Sequence, residues 1–138
     1  MSRANIELIE RIYDAFGKRS YEEVMANFSG EFEWNAADSS PLADRSPYHG
    51  ISEVREGVFD RIAAGFERLE VVPDELFAAE GGRVVALGHY HGRFRGGQED
   101  FQTQVAHIWT VKDGQAMRFQ QYVDTLKVST DAAKLAGS

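Results

Sequence analysis

The chain has 138 residues, no cysteine and a formal net charge of −7 at pH 7. Its length suits one domain with a substantial core, and its hydrophobic fraction of 43% is typical of a globular protein. The acidic balance disfavours nucleic acid as a partner, the missing cysteines exclude disulfides and thiolate chemistry, and no apolar stretch is long enough for a transmembrane helix. We therefore expect a single cytoplasmic domain over residues 1–138, with a core at about 5–126, a frayed tail at 127–138 and no membrane partner.

The first half of the chain shows mainly helical spacing of apolar residues. Such spacing predicts one helix over Asn5–Phe16, a second from Ser20 to near Gly30, and a third that begins at Ser52. Between the second and third helices, the alternation in "EFEWNA" predicts a short strand. Residues 37–50 contain two prolines and many turn formers, and we expect an irregular surface segment there.

The second half of the chain changes to the alternating pattern of β-strands. Four runs near 68–79, 83–94, 99–112 and 115–125 are separated by Gly81-Gly82, Gly96-Gly97 and Asp113-Gly114. These dipeptides are typical of hairpin turns, so the runs predict a four-stranded antiparallel meander. Pro73 cannot donate to a β-ladder and predicts an edge or bulged first strand.

The resulting order, α-α-β-α-β-β-β-β, places helices on one side of a curved antiparallel sheet and leaves part of that sheet uncovered. Together with "IYDAF", "FEW", "AHIWTVKDG" and "FQQYVDT", this order resembles the nuclear transport factor 2-like superfold. Within that superfold, the chain is similar to the branch of SnoaL-like polyketide cyclases and ketosteroid isomerase-related proteins. The resemblance covers residues 5–126 and implies an α+β conical barrel with a strongly curved antiparallel sheet wrapped on three N-terminal helices.

The resemblance also implies a deep apolar pocket, a homodimer formed through the outer sheet face, and no cofactor. In SnoaL-like cyclases, an aspartate on the last strand is the general acid/base, and Asp124 matches it. A histidine on the preceding strand lines their pocket, and His107 is its counterpart. When the chain is aligned with the steroid isomerases, their two acidic residues align near Ala36 and Ala106. Their tyrosine on the first helix aligns near Ile12.

A carboxylate in an apolar pocket has a raised pKa suited to proton transfer near neutral pH, which is the physical argument for Asp124 as a catalytic residue. The alternative is a solvated carboxylate at a strand end. His107 is the second catalytic candidate, and its alternative is a packed histidine with a hydrogen-bond partner.

The register of the last hairpin decides whether the two candidates share a face. A two-residue turn at Asp113-Gly114 pairs His107 with Gln120 and places His107 beside Asp124. A three-residue turn groups Asp124 with Gln104 and Ala106 instead, and sends His107 to the other face. The apolar pairing of the two strands favours the second arrangement.

Aromatic side chains provide candidate walls for a binding pocket, since flat rings bury a large ligand area. The substrate-binding candidates are Tyr13, Phe16, Trp34, Tyr90, Trp109 and Tyr122, each with core packing as its alternative role. His89 and His91 have the spacing of two metal ligands on a strand, but no further ligand is indicated, so no metal site is predicted.

These features predict a small enzyme without a cofactor that transfers a proton next to a carbonyl group of an apolar ring-type substrate. Aldol cyclisation, isomerisation and dehydration share this enolate chemistry. One alternative is a non-catalytic module of the same fold that binds a hydrophobic ligand or only dimerises. A second is water activation of the epoxide hydrolase type, which in this superfold uses two carboxylates and an arginine.

Overall fold

The structure is a computed structural model that describes residues 2–124 and residue 127. The helices are α1 (Ser2–Gly17), α2 (Tyr21–Met25), α3 (Gly50–Val54) and α4 (Asp60–Gly65), with a π-helical turn (Arg55–Phe59) between α3 and α4. The strands are β1 (Phe28–Asn35), β2 (Tyr48–His49), β3 (Phe66–Ala79), β4 (Arg83–Phe94), β5 (Phe101–Lys112) and β6 (Gln115–Val123). Because α3, the π-helical turn and α4 are continuous, the predicted order of three helices is confirmed.

The six strands form one curved sheet in the order β2-β1-β6-β5-β4-β3. The predicted meander is present as β3 to β6, and all its neighbouring strands are antiparallel. The first strand β1 pairs parallel to β6, so the sheet is mixed, and the barrel is not closed. Pro73 lies on the edge strand β3, next to a register shift, as its missing donor predicted.

Two of the three predicted turn pairs have the backbone that a tight hairpin requires. Gly81, Gly82, Asp113 and Gly114 all have positive φ, as both central residues of a type I′ turn do. Asp113-Gly114 is a two-residue connection, whereas β3 and β4 are connected by three residues, since Ala79 pairs with Arg83. At Gly96-Gly97 only Gly96 has positive φ, and the connection from β4 to β5 is longer than a two-residue turn. The second helix ends at Met25, earlier than predicted, because Phe28 begins β1.

The core lies between the helices and the inner face of the sheet. Its centre is a group of packed aromatic rings, among which the ring centroids of Trp34 and Phe119 are 4.1 Å apart and those of Trp109 and Phe119 are 4.6 Å apart. These rings come from β1, β5 and β6, and they meet because Trp34 pairs with Phe119 and Trp109 pairs with Phe119 in the sheet register. Helix α1 covers them with Leu8, Ile9 and Ile12, all buried.

Candidate functional site

A cavity of about 310 Å³ lies against the inner face of the sheet, next to the loop that follows β1. Its walls are mostly aromatic and aliphatic, and its volume is at the lower end of the range for ligand pockets in proteins. The apolar lining residues include Phe16, Trp34, Pro41, Leu42, Ile62, Phe66, Leu69, Phe94, Phe101 and Val123. The polar lining residues are Ser40, Arg61, Tyr90, Thr103 and Gln121.

A second, much smaller cavity of about 20 Å³ lies deeper in the core. Tyr13, His107 and Trp109 line it, and Tyr90 lines both cavities. Tyr90 therefore stands at the boundary between the packed core and the larger cavity.

A chain of hydrogen bonds crosses this boundary from α1 to β6. The indole Nε1 of Trp109 donates to the Tyr13 hydroxyl at 2.9 Å, and that hydroxyl lies 2.7 Å from Nδ1 of His107. On the other side of the imidazole, Nε2 lies 2.8 Å from the Tyr90 hydroxyl, to which Nε2 of Gln121 donates at 2.7 Å. Four protein segments are thus linked through one buried imidazole.

Strand register explains why these side chains meet. Residues of β5 alternate between faces, so Thr103, His107 and Trp109 point to the inner face together. Tyr90 pairs directly with Thr103, and Gln121 pairs directly with His107, which brings β4 and β6 side chains onto the same face.

Burial keeps every ionisable member of this chain in its neutral form. Loss of hydration lowers the pKa of His107 to about 3, so the imidazole is uncharged at neutral pH. Burial also raises the pKa of the Tyr13 and Tyr90 hydroxyls above the usual value for tyrosine, so both stay protonated.

Counting hydrogens shows which way the chain of bonds runs. The indole of Trp109 only donates, and the Gln121 side chain accepts from the Ala37 amide through Oε1, which fixes its Nε2 as a donor to Tyr90. Between these two fixed ends lie two hydroxyl hydrogens and one imidazole hydrogen, but only two hydrogen bonds, one on each side of His107. One hydroxyl hydrogen must therefore point out of the chain.

Tyr90 is the hydroxyl that has room to donate outward, because it lines the larger cavity, whereas Tyr13 lines only the small apolar one. In that arrangement Tyr13 donates to Nδ1 of His107, and the Nε2 hydrogen of His107 is donated to Tyr90. From Trp109 through Tyr13 and His107, each donor then points toward Tyr90, and Gln121 donates to Tyr90 from the other side, so the arrangement presents the Tyr90 hydroxyl to a ligand as a reinforced hydrogen-bond donor.

One guanidinium holds the loop that covers the cavity. Arg61 on α4 donates to the Pro41 carbonyl at 3.1 Å, to Oδ1 of Asp44 at 3.0 Å and to the Tyr48 hydroxyl at 3.2 Å. The hydrogen bond from Arg61 lowers the pKa of the Asp44 carboxyl. Since Ser40, Pro41 and Leu42 line the cavity, these contacts fix part of its wall.

The prediction that Asp124 lies inside an apolar pocket is wrong. Its side chain is exposed on the outer face of the sheet, where Oδ1 accepts from the Lys127 amide at 2.9 Å. Tyr122, predicted to bind substrate, is 54% exposed on the same outer face. Both residues border an open depression that also includes Glu75, His89 and Gln104.

A β-bulge in the last hairpin determines which residues of β5 and β6 share a face. The turn is the two-residue type, with Lys112 paired to Gln115, but a register shift follows between Thr110 and Val111. Met117 is the extra residue of that bulge, and His107 consequently pairs with Gln121 rather than Gln120. The predicted grouping of Asp124 with Gln104 and Ala106 is correct, but it forms on the outer face, and His107 points into the core.

The remaining predicted site residues lie on the inner side of the sheet. Phe16, Trp34 and Tyr90 line the larger cavity, while Tyr13, Trp109 and His107 lie in the layer behind it. Sequence reasoning missed Ser40, Arg61, Thr103 and Gln121 as cavity residues. The alternation of Thr103 with His107 and Trp109 was a signal that could have identified Thr103.

The outer-face histidines do not form a metal site within the described residues. The rings of His89 and His91 are 6.3 Å apart, and Nδ1 of His89 lies 3.2 Å from Oδ2 of Asp74. Over residues 2–124 and 127, no group of three or more His, Asp or Glu side chains is arranged to hold a metal ion. Nor does any helix in these residues have the length and apolar character needed to cross a membrane.

The sequence from residue 9 to residue 119 matches the model of the SnoaL-like domain family. The chain belongs to this family. No curated protein matches the sequence. This family match confirms the resemblance that the sequence motifs indicated.

Several solved structures share this SnoaL-like fold. An NTF2-like protein of unknown function from Burkholderia pseudomallei is 25% identical, with a TM-score of 0.82 and coverage of 94% of this chain and 97% of that one. TerC, co-crystallised with polyporic acid, is 22% identical, with a TM-score of 0.78 and coverage of 98% and 99%. A putative SnoaL-like polyketide cyclase from Jannaschia is 20% identical, with a TM-score of 0.75 and coverage of 94% and 92%. They establish a nuclear transport factor 2-like architecture.

Proposed function

We propose that this SnoaL-like protein binds an apolar ring-type molecule in the 310 Å³ cavity and polarises a carbonyl oxygen of that molecule through Tyr90. The observation that carries the proposal is the Tyr90 hydroxyl, which accepts from Gln121 and lies 2.8 Å from the buried His107 imidazole. The apolar lining supports a ring-type ligand, and the outward hydroxyl hydrogen supports an accepting oxygen on it.

The reaction class of this proposal is proton transfer next to the carbonyl, the step shared by cyclisation, isomerisation and dehydration. When the neighbouring C–H bond breaks, its electron pair moves onto the oxygen as an enolate, and its proton passes to a base. A donor held in place before the reaction stabilises that developing charge. Because burial raises the pKa of Tyr90, this hydroxyl acts by hydrogen bonding and keeps its proton.

A second candidate function is ligand binding without turnover, and the lining of the cavity favours it. Among the described residues that line the cavity there is no aspartate or glutamate that could serve as the base. Catalysis would then require water or a basic group of the substrate as the proton acceptor. The same lack of carboxylates leaves water activation of the epoxide hydrolase type without support.

The proposal includes a homodimer formed through the outer face of the sheet, in the cytoplasm, as expected from the sequence and the family resemblance. Supporting the dimer, that face carries the exposed side chains of Phe77 and Tyr122, with Val85, Leu87 and Ile108 half-buried between them. The register aligns Phe77 with Val85 and Ile108, and Leu87 with Ala106 and Tyr122, in two neighbouring rows.

The test uses α-tetralone, a two-ring ketone, and tetralin, its analogue without oxygen. Titration calorimetry should show tighter binding of α-tetralone, and Tyr90→Phe should reduce that preference by about tenfold, the effect of one lost hydrogen bond. Tyr122→Phe, on the outer face, is the matched control.

Exchange of the protons next to the carbonyl in deuterated water, followed by NMR, separates the two functions. Protein-dependent exchange that Tyr90→Phe abolishes supports catalysis, and binding without exchange supports the second candidate.

A further inference from the structure

The wall of the 310 Å³ cavity carries charge of one sign. Among the described residues that line it, Arg61 on α4 is the only charged side chain, and the rest of the wall is mostly aromatic and aliphatic. A charge that leaves water for such a cavity needs a counterion. The lining therefore favours a ligand with a negative group and disfavours one with an ammonium group.

The guanidinium of Arg61 has N–H groups that the protein does not use. Its Nη1 donates to Oδ1 of Asp44 at 3.0 Å, to the Tyr48 hydroxyl at 3.2 Å and to the Gly57 carbonyl at 3.3 Å. Its Nη2 has two hydrogens and one acceptor, the Pro41 carbonyl at 3.1 Å, and its Nε has no acceptor among the described residues. Nε and Nη2 together can hold both oxygens of a carboxylate.

The unused Nε atom of Arg61 is also accessible. Over residues 2–124 and 127, the enclosed side-chain polar atoms without a partner belong to Tyr21, Trp34, Ser40 and Thr103, and the Nε of Arg61 is not one of them. The contacts of Nη1 and Nη2 hold the guanidinium in place before a ligand arrives, so binding costs little side-chain entropy.

The ion pair with Asp44 does not cancel the positive charge at this end of the cavity. Asp44 is 53% exposed and does not line the cavity, and its Oδ2 lies 3.9 Å from Nε of Arg45. The hydrogen bond from Arg61 lowers the pKa of Asp44, so this carboxylate is ionised at neutral pH. Two guanidinium groups thus share one carboxylate, and a net positive charge remains.

We infer that Arg61 is an anion-binding residue of the cavity, and that the ligand is a cyclic ketone that also carries a carboxylate. The carbonyl oxygen accepts from Tyr90, and the carboxylate accepts from Arg61 on the loop side of the same cavity. A carboxylate fits because its two oxygens match the planar donors of a guanidinium. This inference rests on the proposed function and narrows its substrate class to ring-type keto acids.

The test compares α-tetralones that carry a carboxylic acid on the aromatic ring with their methyl esters, by titration calorimetry at pH 7. At least one acid should bind about tenfold more tightly than its own ester, the effect of a charge-assisted hydrogen bond. Arg61→Gln should remove this preference for the acid, and Arg61→Lys, which keeps the charge, should retain part of it. The ratio of the two affinities is the readout, because a loosened loop affects acid and ester equally.

Asp44→Asn distinguishes anion binding from a purely structural role of Arg61. The substitution removes the competing carboxylate and keeps the size of the side chain. The preference for the acid over its ester should then increase by about threefold, as expected for a partly exposed charge. A ratio that is unchanged or lower in Asp44→Asn would contradict an anion site at Arg61.

The outcomes separate this inference from the proposal beneath it. If Tyr90-dependent binding of α-tetralone is present but no acid binds more tightly than its ester, the anion site is refuted. A preference for the acid that persists in Arg61→Gln refutes it equally. Tetralin carboxylic acids lack the ketone, so Arg61-dependent binding of these acids, with no preference for the ketone that depends on Tyr90, would support the anion site and refute the carbonyl site.

Discussion

The hydroxyl of Tyr13 on the first helix lies 2.7 Å from Nδ1 of His107, which follows 94 residues later on β5. With Tyr90 at its other nitrogen, His107 has partners on both sides and no contact with bulk water. Such an imidazole is costly to protonate in the folded protein, and this cost makes the stability of the fold depend on pH.

Acidification from pH 7 to pH 5 should reduce the free energy of unfolding through His107. The unfolded chain takes up a proton near the ordinary histidine pKa of 6.5, whereas the folded chain does so only at about 3. The unfolded state therefore binds more protons throughout this window, and stability is lost as the pH falls, by roughly 2 kcal/mol at pH 5. Urea denaturation at the two pH values measures the change.

The control for this pH effect is His107→Gln, which keeps a donor and an acceptor but does not titrate. Its stability should change less between pH 7 and pH 5 than that of the wild type, by about the same 2 kcal/mol. Asp44 and Asp100, whose pKa values are lowered by hydrogen bonds from Arg61 and Arg93, lose their contribution only at more acidic pH. An identical pH dependence in both proteins would contradict a buried neutral imidazole.

Thr103→Val should stabilise the ligand-free protein. Valine has nearly the same shape as threonine and removes a buried hydroxyl that has no partner among the described residues. The expected gain is about 1 kcal/mol in the free energy of unfolding. Thr110→Val, at a half-buried position on the outer face of the same strand, is the control and should change stability by less than about 0.5 kcal/mol. A loss of stability in Thr103→Val would mean that the hydroxyl is already paired in the folded protein.

Arg61→Gln should speed the exchange of ligand with the cavity. The substitution removes the guanidinium contacts to the Pro41 carbonyl and the Tyr48 hydroxyl that hold the covering loop. Stopped-flow fluorescence of the tryptophans should show faster association and faster dissociation of α-tetralone, by about tenfold for the loss of contacts worth about 1.4 kcal/mol. Asp44→Asn removes only a partly exposed ion pair and should have a smaller effect. Unchanged rates in Arg61→Gln would show that ligand enters by another route.

The sequence predicted the layers of the fold and much of the inner wall, but not which face the end of β6 presents. Asp113-Gly114 has a strong hairpin signature because both positions adopt positive φ. The bulge at Met117 has no comparable signature, since any residue can be the extra one, yet it reverses the side of every later residue. His107 lies on the inner side of the sheet, whereas Tyr122 and Asp124 were misplaced because the favoured grouping with Gln104 and Ala106 was assigned to the pocket, although it forms on the outer face. The expectation of a frayed tail at 127–138 falls outside the described residues, apart from Lys127.

Tyr122→Lys should dissociate the proposed dimer. It places a charge at one end of the apolar rows on the outer face, where association would remove that charge from water. Sedimentation velocity at micromolar concentration should show a dimer for the wild type and a monomer for the variant. Gln115→Lys changes the net charge equally at the exposed start of β6 and should remain dimeric. A wild-type monomer under these conditions would reject the dimer directly.

Asp124→Asn should leave ligand binding and any turnover of α-tetralone close to wild-type values. The carboxylate is exposed, accepts from the Lys127 amide and does not line the 310 Å³ cavity. Asparagine retains an oxygen that can accept the same bond, so both affinity and stability should change by less than about 0.5 kcal/mol, or roughly twofold in affinity. Tyr90→Phe, measured in parallel, shows what loss of a cavity hydroxyl does. If Asp124→Asn abolishes turnover while Tyr90→Phe does not, the chemistry takes place on the outer face and the assignment of the cavity is wrong.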